Sequence, residues 1–322
     1  MKSLAIVLLF FVLSACVPTS TVPSATAPPI APATAISPAS VSQPPALATA
    51  IPPASASQPP ALATAQPSTQ TLSAAAQSLL NQSRAANPQH YQFALDQGAQ
   101  VLPTADGKSF YVWWVPQNFR GVVIATLHGH DGWAFEEFFQ WRSSAAQRGY
   151  AILALQWWFG VGDKSSDYYL PQEIYPIFET VLRQQKIQPG NTILHGFSRG
   201  SSNIYAVQAR DRDTHNNFFG MTIANAGMAS PDFPPNVELA SGKFGTNFFA
   251  GTHWVLYCGE RDPNPDRDGC PAMRQTRDWI SKFGGTVDLL IEDKNGDHGG
   301  FHRTPANVTA ALDVFQHLTQ AR

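Results

Sequence analysis

Charge is scarce in this chain and unevenly placed. Only 14% of its 322 residues are charged, and none lies between Cys16 and Arg84. The 21 lysines and arginines nearly balance the 23 aspartates and glutamates. That balance gives no sign of a nucleic acid or an acidic polymer as partner. Cysteine is nearly absent: Cys16, Cys258 and Cys270 are the full set. Long apolar runs are missing too. The one from Leu4 to Leu13 is too short to span a bilayer comfortably.

What is present at the start is a sorting signal. Lys2, the apolar run and the small-residue exit Ser14-Ala15-Cys16 describe a secretory leader over residues 1–15. Leu13-Ser14-Ala15-Cys16 resembles the lipobox of bacterial lipoproteins. That resemblance implies cleavage before Cys16, lipid on its sulfur, and a place on a membrane of the bacterial cell envelope facing the periplasm or exterior. Several acyl chains would anchor the protein stably. An ordinary secretory signal is the alternative.

Residues 16–71 are a tract of Pro, Ala, Ser and Thr, with Ser42–Ala50 repeated at Ser57–Ala65. Such a composition buries no core and favours extended conformations, so the tract is expected to be a spacer. The remaining part, residues 72–322, holds about 250 residues, enough for one α/β domain. No partner chain is needed for a core of that size, and a monomer is expected.

Apolar runs alternate with helical patterns along this part. Strands are expected at Lys108–Val115, Gly121–Leu127, Tyr150–Leu155, Thr192–His195, Gly220–Ala224, Thr252–Cys258 and Thr286–Ile291. Helices are expected at Leu72–Ala86, Ala134–Arg148 and Pro171–Gln185. A last one opens at Thr304-Pro305, with Val308, Ala311, Leu312, Phe315 and Leu318 on one stripe. Continuous apolar strands alternating with helices predict a mostly parallel central sheet flanked by helices on both faces.

Within that frame, Gly196-Phe197-Ser198-Arg199-Gly200 follows a strand and opens a helix. A serine on that sharp turn is exposed as a nucleophile, and the glycines keep Cβ atoms away from the neighbouring strand and helix. A serine hydroxyl needs a base, and the base needs an acid to hold its tautomer. His298, in the glycine-rich loop Asn295–Phe301, is the base of choice, and His302 competes with it. His317 falls in the last helix and reads as surface. Asp262 follows the strand Thr252–Cys258 and is the expected acid. Asp232, Asp266 and Asp268 are the alternatives. Backbone N–H groups of Arg199 and of His130, in the loop His128-Gly129-His130-Asp131-Gly132, are expected to form an oxyanion hole. His128 and His130 as metal ligands is the weaker reading, because no third ligand accompanies them.

Gly196–Gly200, His128–Gly132, Asp262 and His298, in that arrangement, resemble the α/β-hydrolase superfamily over residues 95–320. The resemblance implies a serine hydrolase that needs no cofactor and acts on a small-molecule or polymer ester. It is most similar to secreted carboxylesterases of the feruloyl-esterase and polyester-depolymerase types. Ser201 stands where many relatives have another glycine, and His130-Asp131 replaces the glycine run of many lipases. A serine peptidase on the same fold and a non-catalytic envelope binding protein are the rival readings.

Three further expectations concern the rim. Trp133, Trp157 and Trp158 are candidates for an aromatic substrate pocket, with core packing the even alternative. Cys258 and Cys270 are expected to pair in an exported protein. Asn264, Asp266 and Asp268 match the start of a calcium loop, but Gln275 stands where a bidentate glutamate is needed. A polar turn is therefore the preferred reading of that loop.

Overall fold

The computed structural model describes residues 71–320. The leader, Cys16 and nearly all of the spacer lie outside the described residues.

The described chain forms one eight-stranded sheet with helices on both faces. The strands are β1 Gln100–Pro103, β2 Phe110–Trp114, β3 Val122–Leu127, β4 Tyr150–Leu155, β5 Thr192–Phe197, β6 Phe219–Asn225, β7 His253–Gly259 and β8 Thr286–Asp293. Their order is β1-β2-β4-β3-β5-β6-β7-β8. β2 pairs antiparallel with both β1 and β4, and the five pairings from β4 to β8 are parallel. The mostly parallel sheet that was expected is thus observed, with one further strand, β1, at the edge beside the reversed β2.

The apolar strands are continuous because both faces are covered. On β3, Val123, Ala125 and Leu127 enter one core while Val122 and Ile124 enter the other. The helices are α1 Ala74–Ala86, α2 Pro88–Asp96, α3 Ala134–Arg148, α4 Pro171–Gln184, α5 Arg199–Asp213, α6 Pro234–Ala240, α7 Cys270–Lys282, α8 Gly300–Arg303 and α9 Pro305–Gln320. α4, α5 and α7 close one face with Ile174, Phe178, Tyr205 and Met273. α1, α3 and α9 close the other with Leu79, Phe138, Trp141, Leu312 and Phe315. β8 is an edge strand and is half exposed along its length.

Some elements carry little periodic signal. β1 is four residues long and ends in a proline, which an edge strand tolerates. α2 starts on Pro88 and is capped by Asn87, whose side chain accepts the His90 N–H at 3.2 Å. α7 begins inside the stretch expected to be a loop. Cys270 is its first residue and Pro271 its second, so the polar turn ends at Gly269.

Candidate active site

β5 ends in the middle of the sheet, between β3 and β6, and the chain reverses into α5 within one residue. That residue is Ser198, at φ 53° and ψ −117°, a conformation L-residues rarely adopt. The surrounding structure enforces it. The Ser198 N–H donates to the Asn225 carbonyl of β6 at 2.8 Å. A Cβ on Gly196 would lie 2.6 Å from the Gly200 carbonyl carbon and oxygen. A Cβ on Gly200 would lie 2.5 Å from the Leu127 carbonyl oxygen of β3. Both motif glycines are therefore required by close backbone approach. Gly227 is required in the same way, since a Cβ there would strike the Ser198 carbonyl oxygen.

The loops after β7 and β8 bring two more side chains to this turn. His298 Nε2 lies 2.8 Å from Ser198 Oγ, and His298 Nδ1 lies 2.8 Å from Asp262 Oδ2. The Asp262 side chain is fully buried, and its Oδ1 accepts the Asn264 N–H at 2.8 Å. The His298 ring packs on Phe197 with centroids 5.1 Å apart. Cys258, near the end of β7, is disulfide-bonded to Cys270 at the start of α7. The loop that carries Asp262 is thus pinned at both ends.

The alternative partners lie elsewhere. His302 is on α8, with both ring nitrogens buried, and desolvation lowers its pKa to about 3. His317 is exposed on α9. Asp232 and Asp266 are exposed on their loops. Asp268 is buried beside Asp262 and His298: one oxygen or nitrogen from each of the three lies within 4.8 Å of the others. Asp268 Oδ2 bonds Arg267 through Nη2 at 2.7 Å and Nε at 2.8 Å.

The residues of the minority calcium reading do not all face one way. Asn264 and Asp266 face solvent, whereas Asp268 turns inward toward Asp262 and His298. Gln275 is exposed on α7. The Asn264 carbonyl accepts three N–H groups, from Arg267, Asp268 and Gly269, so the segment is a hydrogen-bonded turn.

Of the two even readings of the tryptophans, core packing is the one that Trp133 and Trp157 fit. Trp157 is 1% exposed, packs on Tyr168 at 4.8 Å, and donates its Nε1–H to the His128 carbonyl at 3.0 Å. Trp133 is buried and packs on Trp158 at 5.1 Å. The cleft at Ser198, of about 290 Å³, is instead lined by His130, Asp163, Arg199, Ser202, Arg267 and Asp268. Trp133 and Trp157 fill space beneath the rim, as large rings in cores do, while Trp158 stays partly exposed.

Arg199 and His130 meet in that cleft through their side chains. His130 Nε2 is 2.8 Å from Asp163 Oδ1, and the Arg199 guanidinium bonds the same carboxylate and lies 4.0 Å over the Tyr168 ring. Arg199, and then His130, hold the Asp163 carboxyl below its ordinary pKa. Nothing in the local sequence marks Asp163 or Tyr168, which reach the cleft from the loop between β4 and α4. His128 points inward, away from His130. It is fully enclosed, burial lowers its pKa to about 4, and Nδ1 contacts the Gly129 carbonyl at 2.8 Å. The two histidines therefore form no common ligand set. The Arg199 N–H is at the first position of α5, where N–H groups have no intrahelical acceptor. The loop with His130 runs against the serine, since a Cβ on Gly129 would sit 3.4 Å from Ser198 Cβ.

This architecture recurs among solved structures. An esterase/lipase from an uncultured bacterium matches with TM-score 0.52 and 17% identity, over 69% of this chain and 84% of that one. The esterase of Pyrobaculum calidifontis matches with TM-score 0.52 and 14% identity, over 78% and 99%. One of two fungal esterases from Rhizomucor miehei matches with TM-score 0.53 and 13% identity, over 74% and 90%. The fold is the α/β-hydrolase fold. No protein-family profile and no curated protein matches the sequence. At these identities the α/β-hydrolase fold is what is shared, and the chemistry has to be argued from the site.

Proposed function

We propose that this α/β-hydrolase-fold protein is a serine hydrolase of carboxylic esters. One observation carries the reading: a serine held at φ 53° shares a continuous 2.8 Å hydrogen-bond chain with a histidine and a buried aspartate. In this reading His298 takes the proton of Ser198 as Oγ attacks the ester carbonyl. Asp262 holds the Nδ1–H tautomer and stabilises the imidazolium that forms. The Arg199 and His130 N–H groups hold the developing oxyanion. His298 then protonates the leaving alkoxide, and water releases the acyl group from Ser198 by the same steps in reverse.

The cleft favours small, polar esters within that class. Its lining is charged and hydroxylic, Trp133 and Trp157 are packed inside, and only Trp158 stays partly exposed. Export and a lipid anchor at Cys16 rest on residues 1–16 and agree with a disulfide, which persists in oxidising compartments.

A fluorophosphonate probe and a panel of p-nitrophenyl esters and peptide anilides test the reading. Labelling of the wild type but not of Ser198→Ala, with turnover of acetyl and other short esters, is expected. Anilide turnover alone would make it a peptidase. A folded protein that neither labels nor turns over any of these is a binding protein, and the proposal fails. Cys16→Ser is expected to abolish radiolabelled palmitate incorporation in cells.

A further inference from the structure

A second cluster of functional side chains lies in the protein interior, outside the Ser198 cleft. Glu137 of α3, His195 of β5 and His302 of α8 each present a ligand atom within 4.8 Å of the other two. Glu137 Oε2 is 3.3 Å from His195 Nδ1. His195 is fully buried, and Glu137 is 4% exposed. Both ring nitrogens of His302 are buried and have no hydrogen-bond partner. The cage around them is aromatic: Trp141, Phe301 and the two imidazoles pack with centroids 4.7–6.1 Å apart.

The Glu137 carboxylate has Thr126 Oγ1 and His195 Nδ1 beside it, but the two unpartnered imidazole nitrogens of His302 are costly in such a cage unless something answers them. A divalent cation would. Two imidazoles and one carboxylate are the donor set zinc accepts, at about 2.0–2.2 Å from each atom. Tetrahedral geometry then puts ligand atoms about 3.3–3.5 Å apart, and the Glu137–His195 pair already has that spacing. His302 has a ring nitrogen within 4.8 Å of the other two ligand atoms, and its free nitrogens offer no hydrogen bond to oppose a movement toward them.

The surroundings supply the support that ligating histidines use. His195 Nε2 is 3.3 Å from the Asn225 side-chain amide, and Asn225 Oδ1 is buried without a partner. Turning that amide over lets Oδ1 accept the Nε2–H. His195 Nδ1 is then the lone-pair nitrogen, which faces Glu137. Thr126 Oγ1, 2.8 Å from His195 Nδ1 and 2.5 Å from Glu137 Oε2, hydrogen-bonds both groups and would orient the carboxylate from outside the ligand set. Trp141 Nε1–H, 3.3 Å from His195 Nδ1, competes for that nitrogen in a metal-free arrangement.

We propose that Glu137, His195 and His302 form a buried zinc site behind the nucleophile turn. His195 lies three residues before Ser198, and His302 lies four after His298. An ion there would clamp the strand that delivers the serine to the segment that follows the histidine, with α3 as the third anchor. Its role is to hold these elements, not to touch substrate.

Metal analysis of the full chain tests this. The protein is grown in zinc-supplemented medium and purified without chelator. About one zinc per chain is expected, and cobalt-grown protein should show the visible bands of a tetrahedral cobalt centre. Stripping the metal under prolonged chelation should lower Tm by roughly 5–10 °C, and zinc should restore it. Glu137→Gln and His302→Gln should each lose the metal. Asp268→Asn should keep it, which excludes zinc held by Asp262, Asp268 and His298. A folded wild type with negligible metal under both growth conditions overturns the proposal. So does metal lost in Asp268→Asn but kept in Glu137→Gln. If the two site variants fail to fold, the cobalt spectrum of the wild type decides.

Discussion

Ser198 Oγ lies 2.8 Å from His298 Nε2, although the two residues are 100 positions apart in sequence. The contact exists because β5 and β8 both deliver their carboxyl ends to one rim of a parallel sheet, where sites of open α/β folds assemble. If the contact is catalytic, Ser198→Ala should lower kcat for ester hydrolysis on the order of 10⁵- to 10⁶-fold. Asp262→Asn should cost about 10⁴-fold, because the wrong imidazole tautomer is then favoured. Combining Ser198→Ala with His298→Ala should add little, since the residues act as a unit. Steady-state kinetics on p-nitrophenyl acetate, with circular dichroism to establish folding, checks all three.

The backbone of Ser198 permits a separate prediction about stability. Its φ of 53° and ψ of −117° are accessible to glycine without cost but strain any residue with a Cβ. Ser198→Gly and Ser198→Ala both lack the hydroxyl, yet they should differ. The glycine variant should be the more stable by about 1 kcal/mol, or roughly 2–4 °C in Tm for a domain of this size. Equal melting temperatures in side-by-side thermal scans would mean that the turn stores no strain.

What was legible in the sequence was whatever is local. Gly196–Gly200 declares a turn between a strand and a helix, and each apolar run gives one strand of the sheet. The assembly of Ser198, His298 and Asp262 followed from chain order, because few candidates remain after the last strands. Contacts made only by folding were not legible. Asp163 reaches Arg199 from an irregular loop, and Gly227 matters only because α5 begins against it. Trp157 and Trp158 are adjacent, and sequence alone could not say that Trp157 turns fully inward while Trp158 stays partly exposed. The loop 262–269 shows its alternating oxygens in sequence, but the start of α7 at Cys270 was not legible there.

His128 makes the fold sensitive to mild acid. In the unfolded chain its imidazole takes a proton near the ordinary value of 6.5, whereas the buried ring resists one until about pH 4. The unfolded state therefore binds more protons between those values, and stability falls as pH falls through that window. The loss from this group amounts to a few kcal/mol. Above pH 6.5 the ring is neutral in both states and contributes no pH dependence. Tm measured from pH 7.5 to 4 should fall more steeply for the wild type than for His128→Gln. Parallel curves would show that His128 is protonated in the folded protein.

The disulfide should matter for activity as well as for stability. Cys258 and Cys270 are 12 positions apart, and the loop they close contains Asp262, Arg267 and Asp268. Closing a loop of that length restricts the unfolded chain by about 3 kcal/mol in the chain-entropy account. For a domain of about 250 residues this corresponds to roughly 6–12 °C in Tm. The native-state effect is more local. Asp262 is held by the Asn264 N–H and by His298, and its loop leaves β7 and enters α7 at the two cysteines. Releasing the link should loosen the acid before it unfolds the sheet. Cys258→Ser/Cys270→Ser is thus expected to lower kcat at temperatures well below its own Tm, with KM for small esters little changed. Loss of activity that only tracks global unfolding would confine the disulfide to a stabilising role.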